Sequence, residues 1–169
     1  EPLGTGGALF KAQGCINSDT FLVVNGDSFC EVDLNLFSEF HKTKNALMSM
    51  VVVSVEDFSR YGVVYVDKDR KIKGFSEKGD DSGLADREKK SGGYDYKVAG
   101  INAGIYMMDN ALFEDTNHQF RSGDRFSIES EFFPRYSGFQ FFAYENPNST
   151  FIDIGLPSSL EEAQSFFRT

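Results

Sequence analysis

The sequence predicts an α/β protein with a hairpin-bearing insert, folded as one domain over residues 1–169. Short apolar runs that end in turn residues alternate with helix-patterned stretches along the whole chain. There is no internal repeat, and 169 residues is an ordinary size for a single domain with its own core.

In chain order, Pro2-Leu3-Gly4-Thr5-Gly6-Gly7 reads as a loop and Ala8 to Ala12 as the helix it opens. Phe21-Leu22-Val23-Val24-Asn25-Gly26-Asp27 is a buried-strand run that stops on a glycine and a carboxylate. Asp33 is placed to cap a helix from Leu34 to His41, with Leu34, Phe37 and Phe40 on one face. Ala46 to Val55, centred on Val51-Val52-Val53, is a second buried strand. Tyr61 to Val66, the turn Asp67 to Arg70, and Lys71 to Phe75 form a hairpin whose alternation predicts one solvated face.

Gly79 to Asp95 is dense in Gly, Ser, Asp and Lys and reads as a mobile loop within the domain. Ile101 to Met108 is a strand broken at Gly104. Ser127 to Phe133 reads as a short helix stopped by Pro134. Phe139 to Tyr144 is a strand, Phe151 to Gly155 a short extended segment, and Pro157 and Ser158 start a terminal helix.

Composition narrows the function. Hydrophobic and charged shares of 40% and 25% describe a soluble globular chain. A net charge of −9 with no Lys/Arg stripe disfavours binding to a nucleic-acid backbone. No run of 18 apolar residues and no signal peptide is visible, so the reading is cytoplasmic, with no membrane partner. Cys15 and Cys30 are too few for a disulfide framework or a zinc site and read as reduced packing residues. His41 and His118 have no neighbours that would make them ligands or bases and are assigned to the surface.

Four constellations carry chemistry. Gly4-Thr5-Gly6-Gly7 ahead of a helix would let backbone N–H groups approach a ligand, although tight turns use the same residues. It is neither a Walker A loop nor a dinucleotide fingerprint. Asp27 and Asp153, both close to a glycine, fit the one or two carboxylates that hold Mg²⁺ against phosphates; a strand-end Asp also caps turns. Glu77-Lys78 reads either as a solvated charge pair or as a contact to sugar hydroxyls and a phosphate. Asn102-Ala103-Gly104 and Gly62 read as bulges or as places where a ligand nears the backbone. No Ser-His-Asp or Cys-His arrangement suggests a protein nucleophile.

Taken in order, Glu1-Pro2-Leu3-Gly4-Thr5-Gly6-Gly7-Ala8, Val24-Asn25-Gly26-Asp27, Tyr61-Gly62-Val63-Val64, Phe75-Ser76-Glu77-Lys78, Ile101-Asn102-Ala103-Gly104-Ile105-Tyr106 and Phe151-Ile152-Asp153-Ile154-Gly155-Leu156-Pro157 resemble the sugar nucleotidyltransferases. Within that family the chain is most similar to bacterial guanylyltransferases acting on D-glycero-D-manno-heptose 1-phosphate or mannose 1-phosphate. The resemblance implies a Rossmann-like, GT-A-like mixed sheet flanked by helices. It implies transfer of a nucleotidyl group to a sugar 1-phosphate, with Mg²⁺ as cofactor and GTP as the favoured donor, UTP and dTTP staying open. By the same resemblance Leu3, Gly4, Thr5, Gly6 and Gly26 take the nucleotide, and Asp27 and Asp153 hold the metal. Gly62, Glu77, Lys78, Asn102 and Ala103 line the sugar-phosphate pocket. The implied partners are a nucleoside triphosphate and a sugar 1-phosphate, with a homo-oligomer left open.

The family begins with a strand, a glycine-rich loop carrying an Arg, and a Pro-Lys segment, and Glu1 follows none of these. The expectation is therefore an N-terminally incomplete domain with impaired turnover, since loop amides and cations aimed at a triphosphate contribute several kcal/mol. Gly79 also stands where the family usually has Pro. Two other readings remain: a non-catalytic nucleotide- or sugar-phosphate-binding module, and a glycosyltransferase using Asp67-x-Asp69, which turn formation explains equally well.

Overall fold

In a computed structural model that describes residues 1–55, 57–58, 61–76, 96–116, 119–147, 149–155 and 157–166, the glycine run opens a helix instead of preceding one. Helix α1 spans Gly4–Ala12, so the expected start at Ala8 is corrected. The cause lies far along the chain. Gly6 and Gly7 donate their N–H groups to the Phe126 carbonyl at 3.1 and 3.3 Å. A Cβ added at Gly6 would lie 2.2 Å from the Phe126 ring, and one at Gly7 2.1 Å from the Asp124 carbonyl oxygen. A crossing segment occupies the space that side chains would need.

Strand β1 (Thr20–Val24) ends earlier than expected, because Asn25, Gly26 and Asp27 turn into β2 (Ser28–Cys30), a strand with no sequence signal of its own. The β1 run is also less buried than its composition suggests, with Leu22 40% and Val24 53% exposed. Helix α2 (Leu34–Thr43) starts as expected: the Asp33 carboxylate accepts from the N–H groups of Asn35 and Leu36 at 2.8 and 3.1 Å. It turns Phe37 and His41 inward. His41 is therefore not a surface residue; it is buried with Nδ1 2.9 Å from the Ser49 hydroxyl.

All six residues of β3 (Met48–Val53) are buried. The hairpin is β4 (Val63–Asp67) and β5 (Ile72–Ser76). Val64, Tyr65 and Val66 are buried in succession, so both faces of β4 are covered, contrary to the alternation-based expectation. Strand β6 (Tyr96–Asp109) runs for 14 residues through Gly104, which bends it at φ +74° without ending it. After α3 (Ala111–Thr116), a π-helical turn (Ile128–Phe132) leads directly into α4 (Phe133–Tyr136). Pro134 does not stop the helix, because in a first turn its missing N–H leaves no bond unmade. Strands β7 (Phe141–Glu145) and β8 (Phe151–Asp153) and helix α5 (Pro157–Phe166) complete the described elements.

The main sheet runs β5-β4-β6-β3-β7, with β1 on β6. Only β3 and β7 pair in parallel among the described strands. β3 covers one edge of β6, and β4 and β1 divide the other between them. β2 and β8 form a separate antiparallel ribbon. Side chains alternate across the sheet with a period of two. Met50, Val52, Tyr106 and Met108 meet the aromatic cluster of α1, α3, the π-helical turn and α4. Val51, Val53, Ile101 and Ile105 meet Phe37 and Cys30 on the opposite face. In the aromatic cluster Phe10 touches Phe113, Phe126 and Phe132 at centroid distances of 5.1, 5.3 and 5.7 Å. Cys15 is exposed, which corrects its assignment as a packing residue, and Cys30 is buried. No helix among the described residues is long and apolar enough to cross a membrane.

Candidate functional site

A cavity of about 510 Å³ opens beside the end of β1, lined by Thr5, Asn25, Gly26, Asp27, Tyr106 and Ile128 among others. It lies where a strand gives way to a turn, the position at which α/β sheets collect ligands. Gly26 faces open space, with nothing within 4 Å of an added Cβ.

The turn also sets Asp27 immediately before β2, whose partner strand β8 ends on Asp153. In the β2–β8 ribbon Ser28 pairs with Asp153, and the Ile154 N–H donates to the Asp27 carbonyl at 2.9 Å. Asp27 is exposed on the cavity wall. Asp153 is half-buried, with one carboxylate oxygen accepting from the Gly155 N–H at 2.9 Å. No Lys or Arg among the described residues is paired with either acid. Among those residues no cluster of three or more His, Cys, Asp and Glu side chains forms a metal cage. Asp27 lines the cavity and Asp153 is not among its lining residues. Mg²⁺ takes few protein ligands and fills its other positions with phosphate and water oxygens, so one or two carboxylates without a cationic partner could hold it.

The bend in β6 places a second group of predicted residues. The Asn25 N–H donates to the Gly104 carbonyl at 2.8 Å, and the Gly104 N–H donates to the Asn102 side-chain oxygen at 2.9 Å. The Asn102 Nδ2 donates to the Tyr106 hydroxyl at 2.8 Å. Burial, with the charges of Glu129 and Asp27 adding to it, pushes the Tyr106 phenol well above its usual pKa, against the pull of the Asn102 bond. Gly62 precedes β4, and the pairing of Val63 with Ile101 sets it alongside Asn102. Ala103 is buried, and its carbonyl receives the Ser28 hydroxyl at 3.4 Å.

The remaining predicted residues divide. Thr5 and Gly26 line the cavity. Leu3, Gly4 and Gly6 are engaged by the Asp124–Phe126 crossing: Phe126 N–H donates to the Leu3 carbonyl at 3.0 Å, and a Cβ at Gly4 would lie 2.5 Å from the Phe126 oxygen. Glu77, Lys78, the 79–95 stretch and His118 lie outside the described residues. One residue was missed by sequence reasoning. Glu129 accepts the Thr5 hydroxyl at 2.7 Å and the Ser127 hydroxyl at 3.0 Å, while Thr5 accepts the Ile128 N–H at 2.9 Å. In sequence Glu129 reads only as part of the helix predicted over Ser127 to Phe133.

A family profile described as nucleotidyl transferase matches residues 1–169. The chain is 31% identical over 166 residues to a D-glycero-alpha-D-manno-heptose 1-phosphate guanylyltransferase of Aneurinibacillus thermoaerophilus, covering 97% of this chain and 63% of the relative. It is also 31% identical to a UTP–glucose-1-phosphate uridylyltransferase of Synechocystis, covering 92% of this chain and 37% of the relative. The crystal structure of HddC from Yersinia pseudotuberculosis complexed with GMP-PN superposes with a TM-score of 0.73 at 32% identity, covering 99% of this chain and 64% of that one. The chain thus spans just under two thirds of the length of the heptose-phosphate relative.

Proposed function

We propose, from the premise that this chain belongs to the nucleotidyl transferase family, that it binds GTP and a sugar 1-phosphate of the heptose or mannose type and joins them into an NDP-sugar. The observation that carries the reading is the β2–β8 pairing, which sets Asp27, on the cavity wall, next to the end of the strand that carries Asp153. The two carboxylates would hold Mg²⁺, which when bound supplies charge neutralisation at phosphate oxygens. Thr5 and Gly26 stand on the nucleotide side. Gly62, Asn102 and Ala103, with Glu77 and Lys78, serve the sugar phosphate. A sugar-phosphate oxygen attacks the α-phosphorus, a new P–O bond forms, and the bond to the β-phosphate breaks to release pyrophosphate. Positioning and charge neutralisation account for most of such catalysis, so the lack of a protein nucleophile is no obstacle.

Isothermal titration of GTP and UTP, each in Mg²⁺ and in EDTA, tests the reading alongside pyrophosphate release with mannose 1-phosphate. The expected result is Mg²⁺-dependent binding that prefers GTP and weakens by roughly tenfold or more in Asp27→Asn and Asp153→Asn, the scale of one lost charge-assisted contact. Binding without pyrophosphate release would leave a nucleotide-binding module. Nucleotide binding indifferent to Mg²⁺ and to both substitutions would overturn the metal assignment.

A further inference from the structure

Asn25 stands on the cavity wall between the end of β1 and Asp27. Its backbone N–H donates to the Gly104 carbonyl at 2.8 Å, which pins the residue to the bend in β6. Its Cβ, Cγ and Nδ2 all lie within 2.9 Å of where a Gly104 Cβ would stand, so the side chain is seated against that glycine. Among the described residues none bonds to either end of the Asn25 amide. Neither amide atom is buried away from solvent.

The rest of the wall makes that amide distinctive. Thr5 donates its hydroxyl hydrogen to Glu129 and accepts the Ile128 N–H. Tyr106 is fully buried, and its hydroxyl receives the Asn102 Nδ2. An ionised Asp27 only accepts. The other described lining residues bring no polar side-chain atom and no Lys or Arg. Among the described lining residues, Asn25 alone therefore presents side-chain N–H groups that are accessible and uncommitted. A phosphate chain consists of acceptors, and it is matched by N–H donors as well as by a metal. Asn25 and Asp27 are two residues apart, so their Cα atoms lie within about 7 Å. Oxygens that share an ion held by Asp27 come within reach of the amide.

We infer that the Asn25 side chain donates to a phosphate oxygen of the nucleotide, beside the ion that Asp27 holds. The inference rests on the nucleotidyl-transfer reading of this site and adds to it a neutral donor for the phosphate chain. Gly104 acts through Asn25, by giving the amide its seat.

The test needs no turnover. In ¹⁵N-labelled protein the Asn25 side-chain NH₂ pair, assigned by its loss in Asn25→Asp, should move when inorganic pyrophosphate and Mg²⁺ are added and stay in place with guanosine. Asn25→Ala removes the donor without adding a charge and should weaken GTP–Mg²⁺ and pyrophosphate–Mg²⁺ by roughly tenfold, the scale of one hydrogen bond to a charged ligand. Asn25→Asp adds a negative charge and should weaken both further, while guanosine binding stays at the wild-type level in both variants. Asn25→Asp also keeps the size of the side chain seated on Gly104, so lost binding at an unaltered urea midpoint separates the contact from the packing. Pyrophosphate–Mg²⁺ affinity unchanged in both variants overturns the inference. So does a loss of guanosine binding equal to that of GTP, which would place the amide on the nucleoside. Failure of the wild-type chain to bind GTP–Mg²⁺ would instead strike the nucleotidyl-transfer reading, and the pyrophosphate titrations would still decide the Asn25 contact. A wild-type chain that binds neither overturns both.

Discussion

Asn25 occupies the space that Gly104 leaves open. A Cβ built on Gly104 would lie 2.8 Å from the Asn25 Nδ2 and 2.9 Å from its Cβ and Cγ, and Gly104 holds φ +74°, a region side chains resist. Gly104→Ala should cost about 2–4 kcal/mol by urea unfolding, combining backbone strain and overpacking. Truncating the neighbour in Gly104→Ala/Asn25→Ala should recover part of the loss. Equal costs with and without Asn25 would show that strain alone is responsible.

The glycines of α1 and of the β1–β2 turn should behave in opposite ways. At Gly7 the obstacle is the backbone carbonyl of Asp124, which cannot rotate aside, so Gly7→Ala should destabilise by about 1–3 kcal/mol. At Gly26 nothing lies within 4 Å of an added Cβ, and its φ is not positive. Gly26→Ala should leave the urea midpoint within experimental error. A fall in GTP–Mg²⁺ affinity in that variant would then report on the ligand and not on the fold.

The same contrast shows what the sequence could and could not reveal. The apolar runs of β1, β3 and the β4–β5 hairpin are local signals, and so are the acids that follow β1 and end β8; all were legible. The role of the α1 glycines was not, because it is set by Asp124 and Phe126, more than a hundred residues away. β2 has only three residues and acquires its strand character by pairing with β8, so no local period announces it. The burial of His41 was in fact signalled. It stands four residues after Phe37, on the same helix face. Glu129 meets Thr5 through a contact 124 residues long in sequence.

Asp27 and Asp153 should prove dispensable for folding. Asp27 precedes β2 and Asp153 ends its partner β8, and no cation among the described residues is paired with either, so their charges gain little from the folded state without metal. In EDTA, Asp27→Asn and Asp153→Asn should unfold at the wild-type temperature or above it. In millimolar Mg²⁺ with GTP the wild type should be stabilised by ligand linkage, and both variants should lose most of that gain. Equal ligand-induced shifts in all three proteins would separate these acids from the nucleotide.

His41 makes stability depend on pH through its burial. Desolvation lowers its pKa below the ordinary 6.5, Lys42 adds to that, and Asp109 opposes both. The folded state therefore holds the ring neutral while the unfolded chain takes up a proton near pH 6.5. As pH falls, protons favour the unfolded chain, so the stability present above pH 6.5 is progressively lost below it. The window lies above the range in which ordinary carboxylates titrate, so urea midpoints at about pH 7.5 and 5.5 isolate it. His41→Gln, which can still bond to the Ser49 hydroxyl, should lower stability at the higher pH and flatten the dependence between the two. An undiminished pH slope in that variant would place the titrating group elsewhere.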